Sequence, residues 1–357
     1  MIATLILGLF CVLFANLAKY KNAQWGLKLS FTLIFLFLAL RYNFGNDYET
    51  YLNIFIEISQ YEQLTSFGNT YQFEAGWVWL NWLFRPFGFF AMTAVLALFN
   101  CVVYYRFIKK YVPARYYWLA VFIYIFYPDF MLIHSSAMRQ SVAIALFVFS
   151  LDYLYKKDAI RYFLCVGLAS LFHLSALILF PIYLLGLFNW KINKTITVIL
   201  VSIFASLFLF CEPLSPYLKE FVGNYFEKYT IYQNPGIFNT GLGFLYFSAM
   251  LIVTLYYARL QNKETALIFK IAIISFMLMP LNLIVELFGR VGMYFAPATI
   301  ATYPIIFMNL KRPLGKFVYL TLLLVFITYK FFQFFYSDLW KDDFGTYQTI
   351  FSAAQWF

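Results

Sequence analysis

Both histidines of the chain, His134 and His173, and its most deeply placed cation, Arg139, fall within residues 128–176, inside runs that otherwise read as lipid-soluble. A guanidinium within a spanning segment costs roughly 2.5–3.5 kcal/mol on insertion scales. A cost of that size implies a polar site facing a protein-lined cavity. Further polar residues interrupt apolar surroundings: Arg41, Asn46, Asp47, Tyr51, Glu74, Gln140, Glu286, Arg290 and Tyr294. Arginines grip phosphate through forked, charge-assisted hydrogen bonds. Tyr and Trp faces suit sugars, and a histidine can deprotonate a sugar hydroxyl as it attacks. With a pyrophosphate leaving group, fixed cations stabilise the departing charge and no general acid is required. The set therefore suits glycosyl transfer from a lipid-linked pyrophosphate. No D-x-D pair or His/Cys/carboxylate cluster is present, so a metal-independent, cofactor-free site is expected.

Each residue also has a plainer reading. Arg41 suits a snorkelling stop, Asp47 a turn after Gly45, and Glu74 a helix N-terminal acid. Arg139 could pair structurally with Asp129 or Glu286, and Glu286 with Arg290 at i,i+4 spacing. His134 could face interfacial water. His173 could be a core histidine satisfied by a carbonyl.

The elements that must position these residues follow from composition and charge. Hydrophobic residues make up 63% of the chain and charged residues 12%, against about 25% charged in soluble domains. This is the composition of a polytopic membrane protein. The net charge of +10 reads as topological rather than as a nucleic-acid footprint, because Lys and Arg hold loops on the cytoplasmic side. The four cysteines, Cys11, Cys101, Cys165 and Cys211, have no metal-ligand spacing and read as small packing residues. The apolar N-terminus, followed by Lys19 and Lys21, reads as an uncleaved helix entering from outside.

Segments long enough, or nearly so, to cross the hydrocarbon are 2–18, 27–43, 88–108, 116–132, 135–155, 195–211, 243–260, 265–285, 291–310 and 317–336. Residues 162–188 are long for one crossing and short for two. Six short loops carry 17 Lys/Arg against 3 acids. All six can be cytoplasmic if 162–188 forms a helical hairpin with its apex near His173; a single tilted helix is the alternative. Eleven or twelve transmembrane helices result, in one catalytic domain over 1–357 with no soluble domain. The outer side then receives loops 41–87 and 212–242 and the tail 337–357. Within them, 41–73 reads as a polar loop. Residues 74–84 read as an interfacial or re-entrant helix with Trp77, Trp79 and Trp82 at headgroup depth, and 217–232 as an amphipathic helix. Glu286–Gly292 reads as a tight outer turn.

Several runs resemble a known family. RYNFGNDYETYLNIF (Arg41–Phe55) is similar to the R…G-x-D-Y…Y…F signature of the EpsG-like, Wzy-type polysaccharide polymerases. EAGWVWLNWL resembles that family's E-x-G segment, and MRQSVAIALF and FHLSALILFPIYLL its R-Q and F-H-x-S-A-L segments. EKYTIY (Glu227–Tyr232), GRVGMYF (Gly289–Phe295) and GTYQ (Gly345–Gln348) fit weaker pieces in the same order. The resemblance spans nearly the whole chain; its strength lies in the order of short motifs.

It implies an all-α enzyme with a glycosyltransferase fold of the GT-C kind, in the bacterial inner membrane, with its site facing the periplasm. It would transfer a growing O-antigen or capsule glycan from undecaprenyl pyrophosphate to a lipid-linked repeat unit. Arg139 and Arg290 would hold pyrophosphate, with Arg41 in support, and His173 or Asp47 would be the base. Glu74 would orient the acceptor sugar, with Gln140, Tyr229, Tyr232 and Tyr294 as further substrate contacts; the family pattern does not fix a histidine at His134, which stands as a substrate contact on its residue type alone. A chain-length regulator and a flippase are the implied partners, besides the bilayer. An O-antigen ligase needs the same pyrophosphate grip. A lipid-linked oligosaccharide flippase would show internal pseudo-symmetry and charge spread through both leaflets; here the polar residues crowd one end. A membrane acyltransferase would place acids around a buried His, and none is evident near His173.

Overall fold

The computed structural model describes residues 1–20, 23, 25–61, 73–187, 191–210, 216–217, 220, 241–282 and 286–353. The described chain is helical apart from one short strand pair. It divides into two compact units. The first comprises Met1–Leu154, Asp158–Phe180 and Leu323–Phe357; the second comprises Tyr155–Lys157 and Pro181–Leu322.

The first unit begins with two antiparallel helices, α1 (Ile2–Leu17) and α2 (Gly26–Ala39), which pack closely. Small residues allow this, as is usual between helices that lack a hydrophobic driving force in lipid. A Cβ on Gly26 would lie 2.1 Å from the Phe14 carbonyl oxygen, so only glycine fits there. The Ser30 hydroxyl donates to Cys11 O at 2.7 Å, and the Cys11 thiol donates to Ser30 O at 3.4 Å. Cys11, Cys101 and Cys165 are all buried and free, in keeping with their reading as packing residues; Cys211 lies outside the described residues.

Beyond α2 the loop expected over 41–73 is more ordered than the sequence suggested. Arg41–Tyr42 forms a strand, β1, and Tyr48–Ser59 a helix, α3, that buries Tyr48, Tyr51, Ile54, Phe55 and Ile58 on one face. The repeat of three and four residues along that face is the amphipathic pattern, and polar composition masked it. Helix α4 (Ala75–Phe84) follows as expected for the 74–84 segment. Trp77 is not at a headgroup surface: it is fully buried against Tyr51, with ring centroids 4.9 Å apart, while Trp79 is exposed and Trp82 half-buried.

Among the described residues, helix α5 (Phe89–Tyr111) is one of two helices long and apolar enough to cross a membrane alone. The other is Pro313–Tyr336. Phe288–Phe295 and Ala298–Asn309, bent by 54° at a break, make a third if they act as one span. Seven further apolar helices run 10–17 residues. The protein is an all-α membrane protein; among the described residues, fewer single helices reach full spanning length than the eleven or twelve expected. Local breaks shorten them. The run at 116–132 ends as helix α6 at Phe126, before Pro128, which removes a backbone donor and disfavours helix at the residue ahead of it. A short helix, α7 (Met131–Ser136), comes next, then α8 (Met138–Lys156).

The stretch 162–188 folds back on itself. Helix α9 (Ala159–Ser170) ends at a turn through Leu171–His173, and the return is a 3-10 helix over Leu174–Ile182. The Tyr162 hydroxyl donates to Leu179 O at 2.7 Å, and Phe163 stacks on Phe180 with centroids 5.5 Å apart. The expected hairpin forms, with its apex at His173; its second arm is a tighter helix than an α-helix.

The C-terminal tail returns to the start of the chain. Strand β2 (Gln348–Thr349) pairs antiparallel with β1, Arg41 opposite Thr349 and Tyr42 opposite Gln348. Tyr347 stacks on Phe37 at 4.1 Å and its hydroxyl donates to Phe37 O at 2.7 Å. Phe344 meets Phe44 edge-on, Asp343 O accepts from Gly45 N at 3.1 Å, and the Met1 ammonium donates to Gly345 O at 3.2 Å. The chain start, the end of α2 and the tail thus meet at one end of the first unit.

In the second unit Lys263–Asn282 packs against Glu286–Phe295 and Ala298–Asn309. Glu286–Gly292, expected as a tight turn, is the start of a helix. The Arg259 guanidinium donates to the Thr197 hydroxyl at 2.6 Å, tying Lys194–Leu209 to Gly241–Ala258.

Replacing Tyr347 by Ala removes a half-buried ring and its hydrogen bond. It should lower stability by about 2 kcal/mol, seen as a fall in Tm of the purified chain in detergent. An unchanged Tm would show that the tail is not bound where it is seen.

Candidate functional site

The candidate site is built within the first unit, around the start of α8. Arg139 stands in its first turn. Its Nη1 donates to Glu74 Oε2 in an ion pair whose side chains are 22% and 20% exposed. The Tyr51 phenol lies close enough to the guanidinium for the two to interact electrostatically. The guanidinium also lies over the Phe73 ring, 4.3 Å from its centroid, a cation–π arrangement. Arg139 Nε is buried and has no hydrogen-bond partner among the described residues.

Glu74 precedes α4 in extended conformation and does not cap it. Its second oxygen, Oε1, accepts from Leu174 N at 3.1 Å, at the apex of the hairpin. Gly76 N donates to Leu171 O at 2.9 Å, and a Cβ on Gly76 would lie 2.7 Å from that same oxygen. The glycine of the E-x-G segment therefore lets α4 approach the hairpin closely enough for Glu74 to reach it. The plainer reading of Glu74, a dipole-stabilised helix acid, is replaced by a carboxylate shared between a guanidinium and a backbone amide. The pairing of Arg139 with Asp129 does not form: Arg139 takes Glu74, and Asp129 lies within charge range of Lys330.

His173 is 7% exposed, at the hairpin apex next to Leu174. Its Nδ1 shares a hydrogen bond with Ser175 Oγ, and its backbone N donates to Ala169 O at 3.0 Å.

A second cluster adjoins through α3. Asp47 stands at the N-terminus of that helix, partly buried, and its charge acts on Tyr51 one turn on. Burial pushes the Tyr51 phenol above its ordinary range, against the pull of Arg139. It remains a neutral hydrogen-bonding group. The Asp47 backbone N donates to Ser136 Oγ at 3.3 Å, and that hydroxyl donates to Asn46 Oδ1. Gly45 has a φ of +126°, and a Cβ there would lie 3.1 Å from Ser136 Cα, so the turn admits only glycine.

Arg41 is buried, and its donors go to backbone carbonyls, Leu38 O and, at 3.2 Å, Ser135 O. A snorkelling arginine would reach water; this one binds the end of α2 to the α7 segment.

The remaining candidates are placed as follows. Gln140 is buried on α8, about 100° round the helix from Arg139. His134 lies on α7, and its side chain is outside what the structure describes. Arg290, partly buried, and Tyr294, buried, lie four residues apart on the helix Glu286–Phe295 of the second unit. Tyr229 and Tyr232 lie outside the described residues. The sequence reading gave no role to Tyr51, Phe73, Ser136 or Ser175. Ser175 was visible in the F-H-x-S run, two residues past the histidine; Phe73 carried no signal. Among the described residues no group of three His, Cys, Asp or Glu side chains converges.

A family model described as the EpsG family matches residues 25–349. The chain belongs to the EpsG family. The matched span runs from the residue before α2 to Thr349, the partner of Arg41, so it includes every part of this site and the tail that closes over Arg41. No curated protein and no solved structure matches the chain. EpsG membership makes it a membrane protein of the polysaccharide-polymerase type.

The Arg139–Glu74 pair is checked by a double-mutant cycle with Glu74→Gln and Arg139→Gln. The two changes should couple by about 1–2 kcal/mol in thermal unfolding, less than for a fully buried pair because each side chain keeps some solvent. Additive effects would show that the pair contributes nothing to the fold.

Proposed function

We propose that this EpsG-family chain is a metal-independent glycosyltransferase that polymerises lipid-linked repeat units of O-antigen or capsule. It moves the growing glycan from undecaprenyl pyrophosphate to the non-reducing-end sugar of the next lipid-linked unit, at the periplasmic face of the bacterial inner membrane. In this reading the chain crosses the membrane eleven or twelve times and its architecture is of the GT-C kind. The observation that carries the proposal is the shared placement of Arg139, Glu74 and the His173 apex in one hydrogen-bonded cluster.

In the proposed reaction the acceptor hydroxyl attacks the anomeric carbon of the donor glycan. The bond from that carbon to the pyrophosphate oxygen breaks, and the leaving diphosphate keeps the electron pair. His173 takes the hydroxyl proton, with Ser175 hydrogen-bonded to its Nδ1 and holding the ring; Asp47 is the alternative base. Arg139 stabilises the leaving charge, its buried Nε supplying a donor that the fold leaves unused. Glu74 shares the guanidinium before substrate arrives and orients the acceptor sugar afterwards. Tyr51 and Phe73 hold the arginine in place from two sides. Arg41 supports the pyrophosphate grip, with two of its donors given to backbone carbonyls. Arg290 is proposed as a second pyrophosphate ligand, with His134, Gln140, Tyr229, Tyr232 and Tyr294 as substrate contacts. A flippase that delivers the repeat unit and a chain-length regulator are the proposed partners.

Loss of the gene should leave lipopolysaccharide or capsule with single repeat units. Core alone with accumulating lipid-linked polymer would mean a ligase, and single units held on the cytoplasmic side a flippase. Purified protein given a defined undecaprenyl pyrophosphate repeat unit should extend it with or without chelator. Arg139→Ala, inserted and folded, should abolish extension; wild-type chain length from that variant would refute its role. Of His173→Ala and Asp47→Asn, the change at the true base should slow extension by about 10²–10⁴, and the other by much less.

A further inference from the structure

At the opposite end of α8 the first unit carries a second polar feature that the polymerase reading does not use. A cleft of about 340 Å³ opens between the last turns of α5 and α8. A volume of that size is at the lower end for small-molecule sites. Its walls include Tyr105, Arg106, Lys109, Lys110, Phe149 and Asp152. Asp152 lies 13 residues beyond Arg139 on α8, about 20 Å along the axis. Helix α5, which borders the cleft, is about 34 Å long, enough to cross the hydrocarbon. The cleft therefore stands at headgroup height at the end of a spanning helix.

Charge within the cleft is uneven. Asp152 is engaged by Lys110 at 2.6 Å and by the Tyr111 hydroxyl at 3.2 Å. Arg106 and Lys109, one turn apart on α5, have no carboxylate partner among the described residues. Arg106 rests 5.7 Å from the centroid of Phe149, and Lys109 5.6 Å from that of Tyr105. Loop cations that merely hold topology need no concave wall and no ring beneath them. Two adjacent cations in a cleft with aromatic sides match a phosphate whose attached chain is apolar, and basic pockets between membrane helices take such headgroups.

We propose that this cleft binds the phosphate of an anionic phospholipid headgroup, held by Arg106 and Lys109 and limited by Asp152. The test is thermal unfolding of the purified full-length chain in detergent, titrated with phosphatidylglycerol, phosphatidylcholine or inorganic phosphate. Phosphatidylglycerol should raise Tm saturably, and phosphatidylcholine should not. The double variant Arg106→Gln/Lys109→Gln should need about tenfold more phosphatidylglycerol for half the shift. The control Lys311→Gln/Arg312→Gln, which loses the same charge elsewhere, should match wild type. Asp152→Asn should move the midpoint about threefold the other way, a gain that a merely damaged fold cannot produce and one that can be read even if the double variant fails to fold. An unshifted wild-type Tm overturns the proposal, as do equal midpoints for wild type and the double variant, or equal losses in both charge-removed pairs. A full shift with inorganic phosphate alone would replace the lipid by a soluble phosphate compound as the source.

Discussion

The first unit depends on one carboxylate. Glu74 accepts from Arg139 with one oxygen and from the backbone of the hairpin apex with the other. A largely buried guanidinium without a partner is costly, and Glu74 supplies that partner. Three segments far apart in the chain are thereby held at one point: the entry to α4, the start of α8 and the turn carrying His173. The Gly76 contact with Leu171 brings the backbones close enough for this, and the Tyr51–Trp77 contact fixes the opposite wall. An ion pair with residual exposure adds little net stability by itself. Its larger effect is geometric, since it sets where the histidine, the arginine and the carboxylate stand relative to one another.

A second set of constraints comes from the tail. Arg41 gives its hydrogen bonds to Leu38 and Ser135, while Tyr347 and the two-residue strand close over the end of α2. Gly45 then turns the chain sharply beside Ser136 and delivers Asp47 to the start of α3. The R…G-x-D-Y motif is in this light a structural device as much as a chemical one. Its arginine anchors, its glycine turns, its aspartate opens a helix and its tyrosine packs into the core.

The separation of polar features along α8 has a physical logic. One end carries a cation paired with an acid and braced by aromatic groups; the other carries cations that outnumber the single acid facing them. Between them the helix buries Val142, Ala143, Ile144, Phe147 and Val148 without a charge. A helix built this way holds two charged environments about 20 Å apart with an apolar stretch between them.

Membrane character, the helical class, the hairpin at 162–188 and the family were legible in the sequence alone. Each rests on properties summed over many residues: apolar runs too long for a soluble core, loop charge that tracks sidedness, and short motifs in a fixed order. That Arg139, His173 and Glu74 must each find a polar partner was also legible, because a polar or charged group in an apolar run is costly wherever it lands. Their partners were not. That Arg139 takes Glu74 and Tyr51 rather than Asp129, that Arg41 faces inward and not toward water, and that Trp77 is core rather than belt all turn on contacts between residues tens to hundreds of positions apart. The order within 41–59 was hidden for a related reason: polar residues masked the amphipathic repeat of α3, and β1 is held by a strand some 300 residues later, so it leaves no local pattern. Solvation energy is local and additive, so sequence alone determines which groups must find partners. Which partners they find depends on the tertiary arrangement, because only the folded chain brings donors and acceptors within hydrogen-bonding distance.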